Sequence, residues 1–120
     1  MRVFVIDVKE CKAFATDIDD QLEEFYRIIG CDCIDIVVRT INGKSFDIIC
    51  DDECLLKPNT VSAVDSKNKP MLVGNLIVCN YGGGGELAEL SEDDVKHLED
   101  SYTIASDGRT IFPVLRNVEY

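Results

Sequence analysis

The dipeptide Asn42-Gly43 lies between two apolar runs and constrains this chain of 120 residues more than any other stretch. A type I′ turn needs positive φ at both central residues, which Asn and Gly tolerate best, so the pair predicts a tight β-hairpin. On the first arm Ile34, Ile36 and Val38 alternate with Asp35, Val37 and Arg39. On the return arm, Ser45 to Cys50, the side chains of Phe46, Ile48 and Cys50 share one side. Such a hairpin buries one face only if other elements cover it.

The candidates for that cover follow from periodicity. Ile18, Leu22, Phe25 and Ile29 recur at helical spacing after Thr16-Asp17, which offers a capping residue and acid for a first turn, and Gly30 supplies a C′ stop. Leu90-Ser91-Glu92-Asp93-Asp94-Val95 opens a second helix: Ser91 caps, Asp94 answers it, and Leu90 staples onto Val95. Met1 to Asp7 reads as a first strand, because its short apolar run lacks the length and cleavage site of a secretory signal. Met71 to Asn80, the longest apolar run, reads as a central strand with Gly74 marking a bulge or a close backbone approach. Lys57 to Pro70 reads as loop with a short strand at Val61 to Val64. Asp107-Gly108 marks a turn, and Thr110 to Leu115 an edge strand, since Pro113 cannot donate to a ladder. The expectation is a single α+β domain over residues 1–120: a small, mainly antiparallel sheet with a central hairpin packed against two helices.

Charge and cysteine spacing narrow the chemistry. A net charge of -11 disfavours a surface that grips nucleic acid through its phosphates. No apolar run approaches the roughly 18 to 20 residues that a membrane-spanning helix needs. The six cysteines stand as C-x-C (Cys31, Cys33), C-x-x-x-C (Cys50, Cys54) and two singles (Cys11, Cys79), without paired C-x-x-C knuckles. That pattern points to free thiols in a reducing cytoplasm and to no metal and no cofactor. His97, the one histidine, falls off the apolar face of the second helix and reads as an exposed structural residue, so no nucleophile has a base beside it and no enzyme is expected. The acidic turn Asp51-Asp52-Glu53 reads as solvated charge.

The succession Leu22-Glu23-Glu24, Ile28-Ile29-Gly30, Ile34-Asp35-Ile36-Val37, Ile48 to Glu53, Lys57-Pro58-Asn59, Val73 to Val78 and Leu90 to Asp94 resembles the domain-of-unknown-function 3846 family. These are small proteins found mainly in phages and mobile elements of bacteria. The resemblance spans Ala13 to Tyr102, leaving a C-terminal extension, 103–120. It departs from the family in Cys54, where glycine is usual, in an abbreviated Lys57-Pro58-Asn59 element, and in a glycine-rich loop where a short one is common. It implies a phage-type setting and, by analogy, interference with host defence.

The residues themselves offer one unusual local feature, Tyr81 followed by Gly82, Gly83, Gly84 and Gly85 between a strand and a capped helix. Consecutive backbone N–H groups can cradle a phosphate while an aromatic stacks on a base. No Gly-Lys-Ser or Gly-Lys-Thr follows, so this is no nucleotide-hydrolysing P-loop. With Arg39, Lys57 and Asn59, this loop is the expected ligand site, with Arg109 in reserve, and alanine at Gly83, Gly84 or Tyr81 is expected to spare stability. The expected function is non-enzymatic binding of a small anionic, nucleotide-type signal molecule. The alternative is an acidic DNA mimic or inhibitor, using Asp17 to Glu24 and Glu86 to Asp100 on a basic host protein. A homo-oligomer is the expected assembly.

Overall fold

A computed structural model describes residues 1–52, 60–83 and 86–120. In chain order the elements are β1 (Arg2–Asp7), β2 (Lys12–Asp17), α1 (Leu22–Ile29), β3 (Ile34–Ile41), β4 (Lys44–Asp51) and β5 (Val61–Val64). There follow β6 (Pro70–Val73), β7 (Leu76–Asn80), α2 (Glu92–Glu99), β8 (Tyr102–Ser106), β9 (Ile111–Leu115) and β10 (Val118–Glu119). Six strands make an antiparallel sheet in the order β10-β3-β4-β7-β1-β2, and four make a smaller one, β6-β5-β9-β8.

The middle of the larger sheet is apolar on both faces. Phe4, Ile6, Phe46, Ile48, Leu76 and Val78 point to one side, where they meet Ala63, Leu72 and Leu115 of the smaller sheet and Leu90 and Leu98 at α2. Val3, Val5, Ile49, Ile77 and Cys79 point to the other, where Phe25 and Ile29 of α1 cover them. The molecule is thus layered as α1, larger sheet, then smaller sheet with α2. Strands buried on both faces read as continuous apolar runs, which is how Met71 to Asn80 appears in the sequence.

The expected hairpin is present: Ile41 pairs with Lys44, and Asn42 (φ 50) and Gly43 (φ 83) take the two left-handed positions. The second helix begins as expected, with a reciprocal capping box between Ser91 and Asp94. Asp94 is buried at 1% exposure, and Lys44, next to the turn of the hairpin, pairs with it.

The expected fold class is corrected. The chain is mostly β, with ten strands in two sheets and two eight-residue helices among the described residues, so helices do not form the principal cover of a small sheet. Three local competitions explain the difference. Lys12–Asp17 pairs along its whole length with β1, so Thr16 and Asp17 lie in a strand and α1 starts at Leu22, with Gln21 as N-cap and no side-chain cap bond. Ile18 is buried but precedes the helix, and Leu22 is 54% exposed. Gly74 (φ 78) ends one strand and starts another in a different sheet, splitting the long apolar run into β6 and β7. Thr110 to Leu115 is not an edge strand, since β9 lies between β5 and β8; it meets β5 only at Ala63–Leu115, so Pro113 has a single neighbouring strand, β8.

Asp65 and Asp107 tie the turns that precede β6 and β9. Backbone N–H groups, of Lys69 foremost for Asp65 and of Thr110 foremost for Asp107, hold both carboxyls below the usual carboxylate range.

The Ser91–Asp94–Lys44 contact joins helix start to hairpin, so Asp94→Ala is expected to lower unfolding free energy by about 1–2 kcal/mol, the size of a lost cap. Ser91→Ala should cost less, because Lys44 keeps its carboxylate. Urea unfolding of both variants measures the difference.

Candidate functional site

A groove of about 420 Å³ opens between the β1–β2 hairpin and α1, on the helical face of the larger sheet. Its floor is Val5, Phe14, Ile18 and Ile28, and its rim carries Lys9, Lys12 and Arg27 against Asp7, Glu10, Asp17 and Glu24. The hairpin's shape comes from Asp7, whose Oδ1 accepts the N–H groups of Lys9 (3.1 Å) and Glu10 (3.0 Å), and from Cys11, which takes φ 53.

Asn75 holds the two walls together. Its Oδ1 accepts from Val8 N (3.0 Å) and its Nδ2 donates to Ile28 O (3.0 Å), so one buried amide ties the end of β1 to the last turn of α1. The helix stops at Gly30 in the left-handed conformation (φ 81), with its N–H donating to Tyr26 O. Lys9 Nζ lies 3.1 Å from the place a Gly30 Cβ would occupy. An ammonium there faces the negative end of the helix dipole.

Much of the rim's charge is already paired. Arg27 bonds Glu24, lowering the Glu24 carboxyl and raising the guanidinium, and Asp17 faces Arg2 at 3.9 Å. Lys9 and Lys12 pair with no acid among the described residues; Lys12 Nζ stands 5.3 Å from the Phe14 ring centroid. Asp7 and Glu10 share the open rim with them; the two ammonium groups over an apolar floor suit a small anion with an apolar or aromatic body.

The described residues of the expected site do not line this groove. Tyr81 is exposed at the other end of β7, and Gly82 N donates weakly to buried Asp47 Oδ2 at 3.4 Å. A Cβ on Gly82 would overlap the Glu86 carbonyl oxygen, and Gly83 sits at φ 65, so both glycines have backbone reasons to be there. The loop closes at its base through the Asn80–Ala88 bridge. Arg39 lies in the row with Phe46 and Asn80, donates to Val38 O (2.8 Å) and stacks on Tyr120 at 4.5 Å. Lys57, Asn59, Gly84 and Gly85 lie outside the described residues. The structure therefore does not gather Tyr81 and Arg39 with the groove.

Sequence reasoning missed Lys9, Lys12 and Asn75. The available signal was Asn75 itself, an amide inside the longest apolar run, where a polar group must find partners.

The sequence agrees with one family, described as a domain of unknown function (DUF3846), over residues 1–103. The chain belongs to that family. The DUF3846 match thus takes in the whole groove, from β1 through Asn75. No curated protein and no solved structure matches the chain.

His97 and Cys79 are both packed into the fold. His97 is half-buried rather than exposed: its ring packs on Phe46 and its Nε2 lies 2.6 Å from Ile41 O. Burial, helped by Asp47 and Asp20, pushes the Cys79 thiol up to about 12. Among the described residues no three His, Cys, Asp or Glu side chains come together as metal ligands, and no helix is long and apolar enough to cross a membrane.

Two outcomes are expected. Gly83→Ala should cost about 1–2 kcal/mol for its left-handed backbone, and Gly82→Ala more, because backbone must move; thermal unfolding separates them. Because Cys79 is raised in the folded chain, its stabilising contribution is complete below the ordinary thiol range and fades as pH climbs towards 12. Alkylation mapped by mass spectrometry should therefore mark exposed Cys33 in the native protein, and Cys79 only on alkaline or denaturant unfolding.

Proposed function

We propose that this chain is a non-enzymatic binding protein that holds a small phosphorylated, nucleotide-type molecule in the groove between α1 and the β1–β2 hairpin. The observation that carries this reading is the pair Lys9 and Lys12, free of acid partners among the described residues, above the apolar floor of Val5, Phe14, Ile18 and Ile28. An anion there gains two ammonium partners, Lys9 and Lys12. A base or other flat group has Phe14 and Ile28 to cover. The ligand class is the one expected from sequence; this reading puts it in the groove instead of at the glycine loop. In a phage-encoded setting such a protein acts in the host cytoplasm by sequestering a signal molecule and blunting defence.

The acidic-mimic reading has less support. Its two acidic segments are spread over several elements, the first over the end of β2, the turn after it and the start of α1, the second over the stretch before α2 and α2 itself, so neither is one continuous acidic helix face. The groove also offers cations, which a mimic of a polyanion has no use for.

Calorimetric titration with linear and cyclic nucleotides at low salt tests the binding reading. Binding is expected with at least one of them, weakened about tenfold or more in Lys9→Ala or Lys12→Ala, since a charge-assisted hydrogen bond is worth roughly 1.5–3 kcal/mol. Tyr81→Ala should bind as the wild type does. Loss of binding in Tyr81→Ala alone returns the site to the glycine loop, and absence of binding by every nucleotide rejects the reading.

A further inference from the structure

The border of the larger sheet at β3 is only partly covered. β10 pairs with Ile41 and Thr40 and no further, so Ile34 to Arg39 has β4 on one side and no described strand on the other. The direction of its backbone groups is set by the neighbouring bond from Asn42 N to Asn117 O (3.1 Å), which faces β10. Alternation then turns Thr40, Val38 and Ile36 outward as well. Ile36 N–H is met by its neighbour Asp35, at 2.9 Å, and Val38 C=O by its neighbour Arg39, at 2.8 Å. Both side chains thus plug the edge. Ile36 and Val38 themselves are 44% and 47% exposed, on the face that α1 leaves bare at this border.

We propose that this edge pairs antiparallel, about a two-fold axis, with the same edge of a second copy of the chain. Centred on Val37, the pairing sets Ile36 against the second copy's Val38 and Asp35 against its Arg39. The parity is right: Ile36 and Val38 are the residues whose N–H and C=O point outward, so they form the hydrogen-bonded pairs, and Val37 and Asp35–Arg39 form the closer, non-hydrogen-bonded ones. Each plug is exchanged rather than lost. Asp35 leaves Ile36 N–H for a guanidinium, Arg39 leaves Val38 C=O for a carboxylate, and the released N–H and C=O bond each other across the axis. Arg39 Nε, buried without a hydrogen-bond partner among the described residues, gains an acceptor as Tyr120, whose ring covers Arg39, moves aside. Opposite charges four residues apart suit a strand carrying them in reversed order, and a second copy of this strand is one. A β-edge joined in this way buries the two exposed aliphatic side chains of each copy and removes an unpaired border.

Sedimentation of the full chain across the micromolar range tests the proposal. The wild type is expected to be a dimer, Asp35→Arg and Arg39→Asp each to weaken dimerisation about tenfold or more by setting like charges opposite, and the double reversal Asp35→Arg/Arg39→Asp to restore it. Val37→Cys, at the axis, should give a disulfide-linked dimer under mild oxidation that the wild type, with its native cysteines, does not give. The two arms are independent, so a charge variant that loses its fold still leaves the cross-link to decide. A wild type that stays monomeric, a dimer indifferent to both single reversals, a folded double reversal that stays monomeric, or a Val37→Cys protein that does not cross-link overturns it.

Discussion

Phe4, Val78 and Ile48 lie side by side across three strands, and one residue along so do Val5, Ile77 and Ile49. All six are fully or almost fully buried. At ~25 cal/mol per Å² of apolar surface, leaving either row open to water would forfeit several kcal/mol, so a sheet with this centre cannot stand with one face bare. Everything else in the molecule answers that demand. α1 closes one face, and the smaller sheet with α2 closes the other. The outer strands, needed less for burial, carry the polar and charged side chains that make the groove and the exposed edge.

Asn75 is the joint between that core and the groove. It follows the residue at which the chain leaves one sheet for the other, so its position is set by Gly74 behind it and Leu76 in the core ahead. Its amide then satisfies one donor from β1 and one acceptor from α1, spacing the walls of the groove. Two hydrogen bonds from one buried side chain thus hold the hairpin and the helix at either side of the groove. The glycine loop, in contrast, is explained in its described part by backbone geometry: a close carbonyl at Gly82 and a left-handed conformation at Gly83.

Local rules were legible in the sequence where one residue pair decides the outcome. Asn42-Gly43 forms its turn, Ser91 and Asp94 form their box, Gly30 stops α1, and Val61–Val64 is a strand. What stayed hidden depends on partners far along the chain. Lys12–Asp17 has capping residues that suit a helix, and becomes a strand because β1 offers it a full ladder. Whether Gly74 bulges a strand or divides two sheets turns on where β5 and β1 lie, which no local window contains. The groove was invisible for the same reason: Lys9 and Lys12 face Ile28 and Gly30 only once the hairpin and helix have been brought together by an amide from a third segment. The glycine run drew attention because composition is local, whereas a cavity is not.

The last strands tie the C-terminal residues to segments far back in the chain. β9 and β10 supply Leu115 and Val118 to the core, yet β9 joins β8 and touches β5, while β10 reaches back to β3, across most of the chain. The family-like stretch ends at residue 103, before either strand. A fragment cut there would lose Leu115 opposite Ala63 and Val118 opposite Ile41, all four of them buried in the core. Contacts this distant in sequence carry a loop-closure cost that a helix turn or a tight hairpin does not, so the C-terminal residues tie the ends of the chain together at an entropic expense that the buried Leu115 and Val118 offset.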